Sequence, residues 1–167
     1  PCTSCCQGCY DELWMKKPIT CMVNPCMGRK MNDRKAHDEA RSDRKVLVVG
    51  GGPAGCEAAL ELRRKGCTVT LIERDGQLGG LYGSCKYTKA KAEVADVFTY
   101  LKHALEKSGV EILLNRPFSA ELLDEIHPDV VVDATGADFK KPNLEGVDLP
   151  IVINAKEALD GTRKVGD

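Results

Sequence analysis

The sequence predicts an α/β protein, an open, doubly wound parallel sheet preceded by a cysteine-rich segment. Three observations predict it. From residue 45 onward, short β-branched runs alternate with amphipathic stretches of helix length, the pattern of parallel βαβ units. The runs are too apolar to leave one face wet, as in a sheet covered on both sides. Six of the nine cysteines crowd into residues 1–26, which the alternation does not reach.

Each element follows from a local pattern. KVLVV (45–49) is the first strand and runs into glycines. Pro53 to Lys65 is a helix with Ala58, Ala59 and Leu62 on its apolar face and Gly66 as its stop. TVTLIE (68–73) is the second strand. From about Lys89 to Lys107, apolar residues fall at Val94, Val97, Phe98, Leu101, Ala104 and Leu105, the stripe of a helix laid on a sheet. VEILLN (110–115) is the third strand, SAELLDEI (119–126) a short helix, and DVVVDATG (129–136) a fourth strand running into a turn. Ahead of them, residues 27–44 are polar, mixed in charge and aperiodic, and read as a linker lying over a surface. Asp33, Asp38, Glu39 and Asp43 interleave with its lysines and arginines, which argues against a nucleic-acid arm.

Composition bounds the function. A chain of 167 residues, 43% hydrophobic and 29% charged, can bury about 70% of its unfolded surface as one soluble domain. A net charge of -1 draws in neither nucleic acid nor anionic lipid. No apolar run approaches the roughly 20 residues of a spanning helix, and no secretory signal opens the chain, so a cytoplasmic location is expected. An odd number of cysteines crowded at one end disfavours a secreted disulfide scaffold and favours a metal site in a reducing compartment. Cys56 and Cys67, set among apolar residues, read as small buried hydrophobes. The chain lacks an initiator methionine and its second residue is already a candidate ligand, so a piece of a longer protein is expected.

Two motifs carry chemistry. Gly50-Gly51-Gly52-Pro53-Ala54-Gly55 satisfies G-x-G-x-x-G between a strand and a helix, and Glu73 follows 18 residues later at the end of the next strand. Together they form the dinucleotide fingerprint of a Rossmann-like domain. Gly50 makes the tight turn, Gly52 admits backbone close to a pyrophosphate, and Gly55 lets helix pack on strand. The helix N-terminus offers N–H groups and partial positive charge to the phosphates. Glu73 accepts from the ribose hydroxyls, and its charge disfavours a 2′-phosphate. VVVDATGA (130–137), with Thr135 and Gly136, resembles the second signature of two-dinucleotide flavoproteins, which together with VVGGGPAG (48–55) looks like an FAD-binding domain. The other motif is Cys2, Cys5, Cys9 and Cys21, a C-x2-C-x3-C-x11-C set. Its spacing leaves a [4Fe–4S] cluster and a zinc ion both open. A neighbouring flavin domain tilts the choice towards the cluster, since a redox centre has a use there. Cys6 and Cys26 stand outside the four-ligand pattern and read as buried bystanders, ahead of substitute ligands, since a cubane needs only four.

The cysteine spacing, PIT before the fourth cysteine and VNP just after it, KVLVVGGGPAGCEAA, LIERDGQLGG and PDVVVDATG resemble one family over nearly the whole chain. It is the NADH:flavin oxidoreductases of the 2,4-dienoyl-CoA reductase and trimethylamine dehydrogenase type. The resemblance implies residues 1–26 as an iron–sulfur segment, 27–44 as a linker, 45–153 as an incomplete FAD-binding domain, and 154–167 as the lead-in to an NAD(P)H-binding domain. An FMN-containing TIM barrel related to old yellow enzyme would precede Pro1. It implies a hydride passed from NAD(P)H to FAD, and electrons crossing the cluster to FMN. An activated C=C of 2-enoate or dienoyl-CoA type is then reduced in the barrel, so no residue here is a catalytic acid or base. Carried over by position, Cys2, Cys5, Cys9 and Cys21 are cluster ligands, and Gly50 to Gly55, Glu73 and Arg74 contact FAD. The turn at Gly79, Gly80 and Leu81, and Phe118 beside the adenine, are further contacts. Leu81 departs from the family's usual glutamine, YGSCKYTKAKAE (82–93) is unusual, and Cys85 is unexplained. Two alternatives remain: an amine-dehydrogenase-like electron-transfer segment holding ADP, and a zinc-stabilised nucleotide-binding module without a redox role. Nucleic acid and membrane are not expected partners, and homo-oligomerisation of a full-length protein stays open.

Overall fold

The computed structural model describes residues 2–28, 42–87 and 93–166. Most of the expected linker, and the first turn of the helix expected from Lys89, lie outside the described residues. Strands β1 (Lys45–Val49), β2 (Thr68–Ile72), β3 (Glu111–Leu113) and β4 (Val130–Asp133) form one parallel sheet in the order β3-β2-β1-β4. The register sets Val49 beside both Ile72 and Asp133, so β1, β2 and β4 end level along one edge. The strand order turns back at β1, which opens a crevice at the carboxyl ends of β1 and β4.

Period-two alternation along the strands builds two cores. Val46, Val48, Val69 and Leu71 face helices α2 (Pro53–Arg64) and α4 (Val94–Ser108), packing on Cys56, Ala59, Val97, Leu101 and Leu105. Leu47, Val49 and Ile72 face the other way, onto Leu122 of α5 (Glu121–Ile126). Helices on both faces make the sheet doubly wound, as expected. Burying each such aliphatic side chain contributes about 1.5–3 kcal/mol.

The sheet is less completely covered than its apolar strands predict. The second face carries the six residues of α5 where the first carries two long helices, and Val131 on the edge strand stays 43% exposed. Strands three and four are also shorter than expected, because pairing ends where the neighbouring strand ends. Three short elements were not anticipated: α1 (Tyr10–Trp14), α3 (Gly80–Gly83) running into a 3-10 turn (Ser84–Tyr87), and α6 (Ala155–Asp160). The helix α3 stands where a plain turn was expected, with Gly79 entering it at φ +135°. All nine cysteines are free of disulfides, and Cys56 and Cys67 are buried in the main core as expected. Among the described residues no helix is long and apolar enough to cross a membrane.

Candidate functional site

The crevice at the end of β1 and β4 is a cleft of about 520 Å³, and the glycine loop forms its floor. Gly50 takes φ +107°, and a Cβ there would lie 2.4 Å from the Ala134 carbonyl oxygen, so β1 and β4 exit in contact. A Cβ on Gly55 would lie 1.9 Å from the Gly50 carbonyl oxygen, which is how closely α2 leaves the loop. Gly52 is the opposite case: nothing stands within 4 Å of where its Cβ would be, and it lines the cleft. Pro53 opens α2, and no side chain caps that end. Uncapped first-turn N–H groups there suit an anion.

Glu73 is 7% exposed, and both its oxygens hold backbone: Oε2 accepts from Gly51 N–H at 2.7 Å and Oε1 from Asp75 N–H at 2.9 Å. A carboxylate has about four acceptor positions, so two remain for a ligand. Gly51 is therefore tied beneath the loop and does not line the cleft, and Gly55 is buried behind it. The Cys56 thiol donates to the Gly51 carbonyl at 3.3 Å, and burial, helped by the Glu73 charge, pushes it up to about 12.

The remaining expected residues converge. Gly50, Gly52, Pro53, Ala54, Glu73, Arg74, Gly80, Leu81, Phe118, Thr135 and Gly136 all line the one cleft. A Cβ on Gly80 would lie 3.3 Å from the Gly52 Cα, so α3 closes against the loop. Thr135 donates through its N–H at 3.0 Å and its hydroxyl at 2.8 Å to Asp133 Oδ1, which holds that carboxyl below its usual range. The sequence reading missed Asp75, Tyr82, Arg116, Asp138, Phe139 and Lys156, which also line the cleft. Lys156 is contributed by α6, where an Asn154 and Glu157 capping box was the available signal. Its Nζ lies 2.7 Å from Asp160, a bond that raises the lysine and, with Thr162, lowers Asp160 to about 2.

The cysteine segment closes on itself at the backbone. Thr20 N–H donates to the Gly8 carbonyl at 2.8 Å, and a Cβ on Gly8 would come within 2.5 Å of the Thr20 hydroxyl. This pins the returning strand of chain, with Cys21, against the loop that carries Cys2, Cys5 and Cys9. Cys2 Sγ accepts from Ser4 N–H and Cys21 Sγ from Asn24 N–H, each at 3.4 Å. Among the described residues no three His, Cys, Asp or Glu side chains gather closely enough to hold a metal ion. Cys2, Cys5, Cys9 and Cys21 are soft sulfur donors of the kind an iron–sulfur group takes, but the described residues do not bring three of them together. Cys6 is exposed and Cys26 half-buried, so neither is the buried bystander expected. Cys21, Met22, Val23 and Pro25 meet Pro53, Ala54 and Tyr82 around a second cavity of about 260 Å³.

The family described as pyridine nucleotide-disulphide oxidoreductase matches residues 44–166. The chain belongs to this family. It is 36% identical, over all of its own length and 24% of the relative's, to a cinnamate reductase of Clostridium sporogenes. Among solved structures it is similar to 2-naphthoyl-CoA reductase in complex with 2-naphthoyl-CoA. There the TM-score is 0.90 at 34% identity, covering 99% of this chain and 25% of that one. It is also similar to 6-hydroxypseudooxynicotine amine oxidase of Pseudomonas geniculata N1. That match has a TM-score of 0.81 at 28% identity and covers 96% of this chain and 26% of that one. The chain thus spans about a quarter of the length of these relatives. The resemblance to NADH:flavin oxidoreductases drawn from the sequence holds, and the doubly wound, Rossmann-like fold is that of the family. The relatives are named reductases and oxidases.

Proposed function

We propose that the chain is the electron-transfer part of an NAD(P)H-dependent flavin and iron–sulfur oxidoreductase, holding FAD in the cleft and a [4Fe–4S] cluster on Cys2, Cys5, Cys9 and Cys21. The observation that carries this reading is the cleft itself. Every expected dinucleotide contact except Gly51, Gly55 and Gly79 lines it, at the point where the strand order reverses. Bound there, FAD would supply two-electron hydride chemistry, and the cluster would supply single-electron chemistry.

The chain's own residues bind and orient. Gly52 and the uncapped start of α2 receive the pyrophosphate, and the spare acceptor positions of Glu73 receive the ribose hydroxyls. Arg74 and Phe118 flank the adenosine end, while Leu81, Thr135 and Gly136 flank the flavin end. Residues 1–26 carry the cluster, 27–44 link, 45–153 hold the flavin, and 154–167 lead towards an NAD(P)H-binding domain. In the full-length protein, FMN held by a TIM barrel would supply the chemistry that reduces an activated C=C, a reading supported by the likeness to a cinnamate reductase and a naphthoyl-CoA reductase. The likeness to an amine oxidase favours a second reading, in which the cleft holds ADP and the substrate is an amine.

The test is anaerobic purification, with iron, sulfide, zinc, FAD and ADP assayed on one sample. About four irons per chain and bound or bindable FAD are expected. Preference for ADP over FAD selects the second reading. One zinc with no flavin affinity refutes both.

A further inference from the structure

The cleft holds a cation that the glycine fingerprint does not supply. Lys156 lines it from α6, half-buried. The fold carries it there in steps: Gly80 of α3 closes on Gly52, α3 runs into the 3-10 turn at Ser84–Tyr87, and α6 packs against that turn. This chain of contacts ties the lysine to the same wall as Gly52. Asp160 then fixes it. Its Oδ2 accepts from Lys156 Nζ at 2.7 Å, while Oδ1 takes the Thr162 N–H at 3.1 Å and the Thr162 hydroxyl at 2.7 Å. An ammonium has three N–H donors, so two remain for a ligand. Around the cleft, Arg74, Arg116 and Lys156 face Glu73, Asp75 and Asp138. Arg116 is paired with Glu125, which does not line the cleft. Without Lys156 the carboxylates outnumber the cations, a setting that repels a pyrophosphate.

We infer that Lys156 donates to a phosphate of the FAD or ADP bound in the cleft, with Asp160 as the residue that positions it. The inference deepens the dinucleotide reading proposed above and rests on it, and it needs nothing from the cysteine segment. The glycine loop offers a phosphate backbone N–H groups and a partial charge, and the lysine adds a full charge from the facing element. Lysine meets phosphate as a point charge on a flexible stem, so what matters at this position is the charge.

The test is calorimetric titration of the full chain with ADP at low and at high salt. Lys156→Met keeps the stem and removes the charge. It should bind ADP roughly 10- to 150-fold more weakly, the range for losing one charge-assisted hydrogen bond. Its affinity should also fall less steeply with salt than that of wild type, because one attraction open to screening is gone. Lys156→Arg should return towards wild type in both respects. Wild-type affinity in Lys156→Met overturns the inference, and so does a loss that leaves the salt dependence unchanged, since that marks a change of cleft shape. In either case the dinucleotide reading stands if Gly52→Ala still weakens ADP. Should Lys156→Met not fold, Lys156→Gln decides by the same two measurements. A folded wild-type chain that binds neither ADP nor FAD overturns the dinucleotide reading and this inference with it.

Discussion

Two alanine substitutions in one glycine loop should separate folding from binding. At Gly55 the new methyl would sit 1.9 Å from the Gly50 carbonyl oxygen and 3.3 Å from the Ala134 side chain, whereas real Cβ atoms keep at least 3.0 Å. The obstacle is backbone, so α2 must lift from β1, and the core beneath them opens. Overpacking of this kind costs about 1–3 kcal/mol, and a backbone obstacle places it near about 3 kcal/mol. For a chain of this size that lowers Tm by roughly 6–12 °C. At Gly52 the methyl meets nothing, and φ is -71°, which any residue adopts. The entropy gained from Gly→Ala, about 0.4–1 kcal/mol, roughly offsets a poorer helix cap, so Tm should stay within about 2 °C. The methyl would, however, occupy the space where a pyrophosphate meets the loop. Loss of one charge-assisted hydrogen bond, about 1.5–3 kcal/mol, weakens ADP or FAD by roughly 10- to 150-fold. Thermal unfolding and calorimetric titration of both variants form the assay. Undiminished nucleotide affinity in Gly52→Ala would refute the phosphate role of the loop, and an unshifted Tm in Gly55→Ala would refute the close approach.

Further outcomes test the surroundings. Glu73→Gln replaces one of two acceptors that hold Gly51 and Asp75, so both stability, by about 1–3 kcal/mol, and adenosine affinity should fall; retained affinity in a destabilised variant would restrict Glu73 to buttressing the loop. Cys56 is raised from 9.0 to about 12 in the folded chain, so its contribution is full below pH 9 and is lost as pH rises towards 12. Wild type should therefore lose stability relative to Cys56→Ala across that window in denaturant titrations, and parallel curves would contradict the burial argument. Asp160 is lowered, so the α6 helix and its closing turn should persist above pH 3.8 and fray as pH falls towards 2, followed by exchange of the α6 amides; acid-insensitive exchange would remove Lys156 and Thr162 as its cause. Cys9→Ser should abolish iron retention while far-UV circular dichroism stays unchanged, because Cys9 is exposed and outside both cores.

The sheet was legible because strand periodicity and burial are the same fact: Val46 and Val48 face one core while Leu47 and Val49 face the other. The glycine loop was legible because its spacing is dictated by contacts that admit no Cβ, at Gly50 and Gly55. Helices α1 and α3 were not, since they span five and four residues and no apolar stripe can repeat over so short a length, and α6 was passed over although Asn154 and Glu157 form a capping box at its start. Lys156 and Arg116 were missed for a related reason. They reach the cleft through the fold, one from α6 and one from the segment after β3; the capping box marks the start of α6, but no local motif marks either side chain as a cleft residue. Glu73 was read from its position as a ligand group. Its bonds to Gly51 and Asp75 depend on how a buried side chain threads under the loop, which spacing does not encode.

The two candidate sites share a wall. Val23, two residues beyond Cys21, packs against the main core, which fixes the returning end of the cysteine segment to the dinucleotide domain. Pro53, Ala54 and Tyr82 line the cleft on one side and the cavity beside Cys21 on the other. Tyr82 is steadied by Phe98, ring centres 5.6 Å apart, and Phe98 in turn packs against the core of α4. The start of α2 is therefore placed to hold an anion from one face and the cysteine segment from the other. A ligand that seats against Gly52 would stiffen the same turn that positions Cys21, so occupation of the cleft should protect Cys21 from thiol reagents while leaving exposed Cys6 as reactive as before. Equal protection of both thiols, or of neither, would mean that the shared wall transmits nothing between the sites.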